Sequence, residues 1–282
     1  MRAAAWGGLL IQDGLVEALE VVPGLHVRCD EPAARHCLLR VGGAVEVWLV
    51  AETESAVKEA AALCKEAGHR VRPVVSEHFL VRDGGVDGVW MRLGAVGMGA
   101  SLSEEGFSVG ASHPAAALAA RAEAESVWGY AHLAGRAGSI GEAFVAGHLA
   151  HRVKSIRVLR GSQVVDLAPE KVLDAHLVLR LSLHAFSTEQ DLPVPAMDTP
   201  AYPGVVMTDP PRENAEELLV DTGLSGVRLH GVRIARREPN SLVNLGDSTA
   251  RDVTLLLHMM RDRVKLQTGI ELTAILKPVG RG

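Results

Sequence analysis

The segment from Thr249 to Gly269 constrains the fold more than any other. Val253, Leu256, Leu257, Met260 and Val264 recur at helical spacing and define one apolar face of a long helix. Thr249 and Asp252 stand three apart, as in a capping box that satisfies the first backbone N–H groups. Gly269 suits the left-handed residue that ends a helix. Met259 and Met260 are both assigned to the core. A helix around Asn214 to Asp221 precedes this one, with strands around Val227 to Ile234 and Ser241 to Leu245. A last strand over Ile270 to Leu276 follows. The tail therefore reads as a small α+β domain.

Upstream, Ser187 to Pro203 carries Pro193, Pro195, Pro200 and Pro203 among polar residues and reads as a domain boundary. The opening half alternates strand and helix: strands at Val45–Val50, Val71–Val75 and Val86–Leu93, and a helix over Thr53 to Ala67 with Thr53 as its cap and Cys64 on its apolar face. Pro114 opens a helix over Ala115 to Glu125. A glycine-rich stretch, Gly135 to Gly147, follows. Gly161-Ser162 joins Ser155–Arg160 and Gln163–Leu167 into a hairpin. Leu177, Leu179, Leu181 and Leu183 alternate with Val178, Arg180, Ser182 and His184, as in a half-buried strand with His176 and His184 at the surface. The expected fold class is α+β, with one domain over 1–190 (parts at about 1–95 and 96–190) and a second over 191–282.

Composition excludes several functions. The net charge is −5 and no dense Lys/Arg block exists; Arg233, Arg236 and Arg237 are read as a solvated face. Nucleic-acid binding is therefore not expected. Three cysteines, Cys29, Cys37 and Cys64, show neither CxxC spacing nor a disulfide framework, which fits a reducing, cytoplasmic setting. No apolar run is long enough to span a bilayer. Met1 to Ile11 lacks the cleavage pattern of a signal peptide.

Several motifs, in order and spacing, resemble one family. Glu217 to Arg228, then Glu238-Pro239-Asn240-Ser241-Leu242-Val243-Asn244-Leu245-Gly246-Asp247, then Gly269 to Gly280 are similar to the substrate domain of UDP-N-acetylenolpyruvoylglucosamine reductase, also called UDP-N-acetylmuramate dehydrogenase. Arg40-Val41-Gly42-Gly43-Ala44 and Val81-Arg82-Asp83-Gly84-Gly85-Val86 resemble its flavin domain, as does Gly135-Arg136-Ala137-Gly138-Ser139-Ile140-Gly141-Glu142-Ala143. The resemblance implies a PCMH-type FAD-binding fold in the N-terminal part. It also implies a bacterial NADPH- and FAD-dependent oxidoreductase of cell-wall precursor synthesis.

The departures from the family pattern fall on its chemistry. Where the family has a glycine-rich flavin loop, whose bare backbone approaches a pyrophosphate, this chain has Val74, Val75, Ser76, Glu77 and His78. The two valines are read as the end of a buried strand. In the second segment Gly135, Gly138 and Gly141 remain, but Glu142 replaces a glycine and Ala137 a proline. In Gly204-Val205-Val206-Met207-Thr208-Asp209-Pro210, Val205 falls on the position of the proton-donating Ser or Cys. Asp209 replaces an asparagine. Ile275 occupies the position of a glutamate in the last strand. The Tyr-Arg loop, whose arginine stabilises the enolate, has no counterpart.

Three functions follow as expectations. The first is a non-catalytic scaffold with no catalytic, cofactor or metal residues, holding a protein partner or a second copy of itself in peptidoglycan synthesis or cell division. The second is an active reductase with a rebuilt site, in which Ser76, Ser139 or Thr208 donates the proton and Glu271 or Glu142 replaces the acid. The third is a UDP-sugar sensor. His132, His148 and His151 lie close in sequence without a carboxylate or cysteine to complete a zinc site, and Gly138-Ser139-Ile140-Gly141 lacks the spacing of a nucleophile elbow. Asn240 and Asn244 are read as turn and strand-end hydrogen bonders.

Overall fold

The structure, a computed structural model, describes residues 11, 13–134, 138–145, 147, 149, 152–173, 176–187 and 205–282. The chain divides into two compact units, each assembled from separated segments: Met1–Cys29, Glu46–Ser76 and Asp87–Pro200 in the first; Asp30–Val45, Glu77–Val86 and Ala201–Gly282 in the second.

In chain order the elements begin with α1 (Asp13–Glu20), β1 (Leu25–Pro32), β2 (Ala44–Ala51), α2 (Glu54–Glu66) and β3 (Val71–Val74). The two-residue β4 (Leu80–Val81), in the second unit, is followed by β5 (Val86–Leu93). The sheet order is β1-β2-β5-β3, with β3 parallel to β5. β2 places Val47 and Leu49 in the core, where Ala56, Val57, Ala60 and Cys64 of α2 join them. Burial pushes the Cys64 thiol up to about 12, so this cysteine is a packing residue. The Thr53 hydroxyl caps α2 by accepting from the Ala56 N–H at 3.1 Å. At the same helix start Arg157 and Lys58 each approach Glu54 at 2.8 Å and hold its carboxyl at about 2.

The first unit continues with β6 (Ala100–Ser103), β7 (Gly106–Gly110), α3 (Ala115–Ala124), α4 (Ile140–Val145), β8 (Val153–Arg160), β9 (Gln163–Leu167) and β10 (Leu177–Leu183). They form a second sheet, β6-β7-β10-β8-β9. β10 is its central strand, which explains a departure from the expected alternation: Val178 is as buried as its leucine neighbours. His176 and His184 flank the strand and are half-buried, and burial lowers the pKa of both. The surface reading of these two histidines is thereby corrected. α4 lies inside the glycine-rich stretch, where no helix was expected.

The second unit contains β11 (Met207–Thr208), α5 (Ala215–Asp221), β12 (Arg228–Leu229), β13 (Val232–Ile234), β14 (Leu242–Asn244), α6 (Ala250–Thr268), β15 (Thr273–Ala274) and β16 (Pro278–Val279). β12, β13 and β14 form an antiparallel sheet, and β12 turns into β13 at His230-Gly231. α6 follows its sequence pattern closely. Its capping box and its left-handed Gly269 are both formed, and Val253, Leu256, Leu257, Met260 and Val264 are all buried. Met259, expected in the core beside Met260, is instead 37% exposed.

The sequence reading placed one cut near residue 190. The structure instead groups 30–45 and 77–86 with the C-terminal part. The linkage is physical. β16 adds to β4 as a parallel pair, and Leu39, Val41 and Leu80 enter the C-terminal core. The Asn244 amide donates to the Leu39 carbonyl at 2.8 Å. Three stretches of backbone cross so closely that only glycine fits: a Cβ on Gly43 would overlap the Asp83 carbonyl oxygen, and one on Gly280 the Gly85 carbonyl oxygen. No helix among the described residues is long and apolar enough to cross a membrane.

Candidate functional site

The segment at the first flavin-loop position begins as β3 ends. Val71 to Val74 are all half-buried on an edge strand, and Val75 lies beyond the strand, half-buried against the first unit's core. The expected buried strand through Val75 is therefore an edge strand one residue shorter. Ser76 and His78 are half-buried and Glu77 is exposed. The Glu77 carbonyl accepts the Leu38 N–H at 2.9 Å.

The second glycine segment is described from Gly138; Gly135 and Ala137 lie outside the described residues. Ser139 and Glu142 form a reciprocal cap on α4. The Ser139 N–H donates to Glu142 Oε2 at 2.7 Å, and the Glu142 N–H donates to Ser139 Oγ at 3.2 Å. Between them, the Ile140 N–H donates to the His113 carbonyl and the Gly141 N–H to the Ala111 carbonyl; the Ala143 N–H donates back to the Ser139 carbonyl. Five successive N–H groups thus have partners inside the first unit. A pyrophosphate is cradled by backbone donors with no other acceptor, and this turn presents none between Ser139 and Ala143. Gly138, at φ +100°, keeps a conformation suited to glycine, and a Cβ there would overlap the Glu142 carboxylate. From Ser139 to Ala143, therefore, no backbone N–H is left open to receive the diphosphate of a flavin dinucleotide.

The positions expected for proton donor and carboxylate lie next to a pair of neighbouring strands in the second unit. β11 and β15 pair antiparallel, with Met207 opposite Ala274 and Thr208 opposite Thr273. Val205 bridges to Ser241, and the Ile275 N–H donates to the Val206 carbonyl at 2.8 Å. Ile275 therefore lies just beyond β15 instead of inside a longer strand. Val205 is half-buried and Ile275 is 38% exposed. Neither side chain can give up or accept a proton. Asn240, 6% exposed, clasps this edge with its side chain, accepting the Met207 N–H and donating to the Met207 carbonyl, both at 2.9 Å. The Asn244 carboxamide oxygen takes the Gly246 N–H and the Ser248 hydroxyl, each at 2.8 Å. Both asparagines are structural hydrogen bonders, as read from the sequence.

The substitute groups are engaged elsewhere. The Thr208 hydroxyl donates to the Thr273 carbonyl at 3.2 Å. Ser139 and Glu142 bind each other. Glu271 lies 3.6 Å from both Arg261 and Lys265, with 61% of its side chain exposed. Asp209 Oδ1 accepts the Ala215 N–H at 2.8 Å, at the start of α5. A shallow concavity of about 450 Å³ lies on the first unit against Glu20, Leu25, His26 and Glu52, away from all of these positions in the sequence. His148 and His151 lie outside the described residues, and no cluster of three potential metal ligands occurs among the described ones.

The role of Glu142 was missed at the sequence level, although Ser139-Ile140-Gly141-Glu142 carries the capping-box spacing. Asp83 was missed too. Its carboxylate accepts the Ala250 N–H at 2.8 Å and the Arg251 N–H at 3.0 Å, capping α6 from a distant loop.

A family model described as UDP-N-acetylenolpyruvoylglucosamine reductase, C-terminal domain, matches residues 198–277. Proteins named UDP-N-acetylenolpyruvoylglucosamine reductase align along nearly the whole chain. That of Anaeromyxobacter dehalogenans is 29% identical over 92% of this chain and 87% of its own. That of Geobacter sulfurreducens is 28% identical over 96% and 99%. The chain is a member of the UDP-N-acetylenolpyruvoylglucosamine reductase family. The crystal structure of UDP-N-acetylenolpyruvylglucosamine reductase from Thermus caldophilus superposes with a TM-score of 0.68 at 21% identity, over 90% of this chain and 99% of that one. The α+β fold is therefore that of the reductase.

Proposed function

We propose that this member of the reductase family is non-catalytic and works by binding a protein partner, in the cell-wall setting that the family's name implies. The observation that carries this reading is the run of N–H groups from Ser139 to Ala143, each already hydrogen-bonded within the first unit. A flavin diphosphate offers only acceptors, so seating it there would break hydrogen bonds and bring Glu142 against like charge. The aliphatic residues Val205 and Ile275 support the same reading, because neither carries an exchangeable proton and the nearby Thr208 hydroxyl already donates to the Thr273 carbonyl. The backbone crossings at Gly43 and Gly280, the Asn240 clasp and both caps of α6 are requirements of the scaffold, and all are kept.

The test is spectroscopic. Purified protein is expected to show no visible flavin absorbance, and a titration with FAD is expected to leave its melting temperature unchanged. Stoichiometric flavin, or NADPH oxidation dependent on UDP-N-acetylenolpyruvoylglucosamine, would overturn the reading in favour of a rebuilt reductase. Stabilisation by UDP-N-acetylglucosamine without any by FAD would overturn it in favour of a nucleotide-sugar sensor.

A further inference from the structure

Helix α6 has a second apolar line that the core does not use. Leu255, Met259 and Leu266 are 46%, 37% and 86% exposed, while Val253, Leu256, Leu257, Met260 and Val264 fill the core side. With Asp262, the exposed residues fall at spacings of four, three and four, the a/d seam of a helix pair. The flanks of the seam are basic. Arg251, Arg263 and Lys265 are exposed and Arg261 is half-buried, four cations against the carboxylates of Asp262 and Glu271, on a chain whose net charge is −5. Glu271 lies near Arg261 and Lys265. Among the described residues, Arg251 and Arg263 have no ion-pair partner.

We infer that the outer face of α6 is a docking seam for an amphipathic helix of a partner protein, one with large apolar residues at heptad spacing and acidic flanks. This deepens the binding-protein reading above and rests on it. Charge selects the occupant. A second copy of α6 would set one basic rim against another. A lipid surface fits poorly, because Asp262 interrupts the apolar line and would be desolvated among acyl chains without a partner. A facing helix can meet Asp262 with a lysine and the arginines with glutamates while leucines fill the seam.

The probe is a fluorescein-labelled synthetic helical peptide with leucines at a and d positions, glutamates at the flanks and one central lysine. Its matched control carries lysines at the flanks. Fluorescence anisotropy with the full chain is expected to show salt-sensitive binding of the acidic peptide, at least tenfold tighter than that of the control. L255S/M259S/L266S and R251E/R263E are each expected to weaken binding at least tenfold with unchanged circular dichroism. The charge-reversal variant keeps the test decisive if the triple variant unfolds. Equal binding of the two peptides, or binding insensitive to the variants that fold, would overturn the inference. It is equally overturned if the triple variant abolishes co-sedimentation with phosphatidylglycerol vesicles, which assigns the seam to lipid, or a concentration-dependent dimer in sedimentation velocity, which assigns it to self-association. The flavin titration is independent of all these arms, so protein that holds flavin and also binds the acidic peptide would sink the non-catalytic reading alone.

Discussion

Two helices of this molecule start with the same device. α4 opens on Ser139 and Glu142, α6 on Thr249 and Asp252; in each a hydroxyl and a carboxylate three residues apart satisfy one another's backbone N–H groups. At α6 the box is one part of a larger arrangement. Asp83 takes the next two N–H groups from a distant loop, and His230 Nδ1 lies 2.7 Å from Asp252 Oδ1. At α4 the box stands on a shorter helix, and the N–H groups between and after its two residues take backbone acceptors at His113, Ala111 and Ser139. The lesson is that a cap is read by the contacts around it. One box is part of a wider set of contacts that hold α6; the other occupies the N–H groups at the start of α4.

The sharpest way to break this contrast is at the crossing that delivers Asp83. In Gly43→Ala the new Cβ would meet the backbone of Asp83 and of Gly85, neither of which can rotate aside. The expected loss is about 3 kcal/mol, read as a lower urea midpoint or as insoluble protein. Parental stability would mean that the crossing is looser than described and that Asp83 is a dispensable cap. Next in size is Asp252→Ala, which removes the capping box of α6 together with its His230 contact. It is expected to cost about 2 kcal/mol, measured by the same denaturation. Glu142→Ala removes the corresponding box from the much shorter α4 and is expected to cost about 1 kcal/mol. It sharpens the contrast because it frees only the Ser139 N–H; the N–H of residue 142 keeps Ser139 Oγ as its acceptor. Ile140, Gly141 and Ala143 keep their backbone acceptors, so the variant is expected to remain colourless after incubation with FAD. A yellow Glu142→Ala protein would show that this one carboxylate is the barrier to flavin.

The sequence made α6 legible because periodicity, capping box and terminal glycine agreed over one contiguous stretch. The same local logic was available for α4, where Ser139 and Glu142 have the capping spacing. The glycines around them drew attention to a ligand turn instead. The Val205 and Ile275 positions were each read from a separate motif, and the β11–β15 pairing places them at the same end of two neighbouring strands. Long-range topology was not legible. β4 and β16 are two residues each, too short to carry a period, and their pairing joins Leu80 to Pro278 across almost the whole chain. The assignment of 30–45 and 77–86 to the second unit rests on such contacts, so a cut drawn from composition could not find it. Met259 was misplaced for another reason: an apolar residue on a helix says that it seeks cover, not which side supplies it.

The smallest expected effect distinguishes the two boxes by pH. The His230 hydrogen bond, helped by the Thr249 N–H and hydroxyl, holds the Asp252 carboxyl below the usual carboxylate range, against the opposing effect of its burial. A carboxyl depressed in the folded state contributes stability that is fully present above its unfolded value, about 3.9, and is lost as pH falls through the lower folded value. His230→Ala removes the largest contributor and lets the folded value rise toward the unfolded one. The variant is then expected to be less stable than the parent at neutral pH. The difference should shrink below about pH 4 and vanish where Asp252 is protonated in both proteins. Because 70% of the His230 side chain is exposed, solvent screens the interaction and the neutral-pH difference is expected to be about 0.5 kcal/mol. Urea midpoints taken from pH 7 down to pH 2 (about the lowest workable acidity for a carboxylate comparison) would show the two curves converging. Parallel curves would mean that His230 acts on α6 by packing and not through the Asp252 charge, which would leave Asp83 and Thr249 as the groups that hold the helix start.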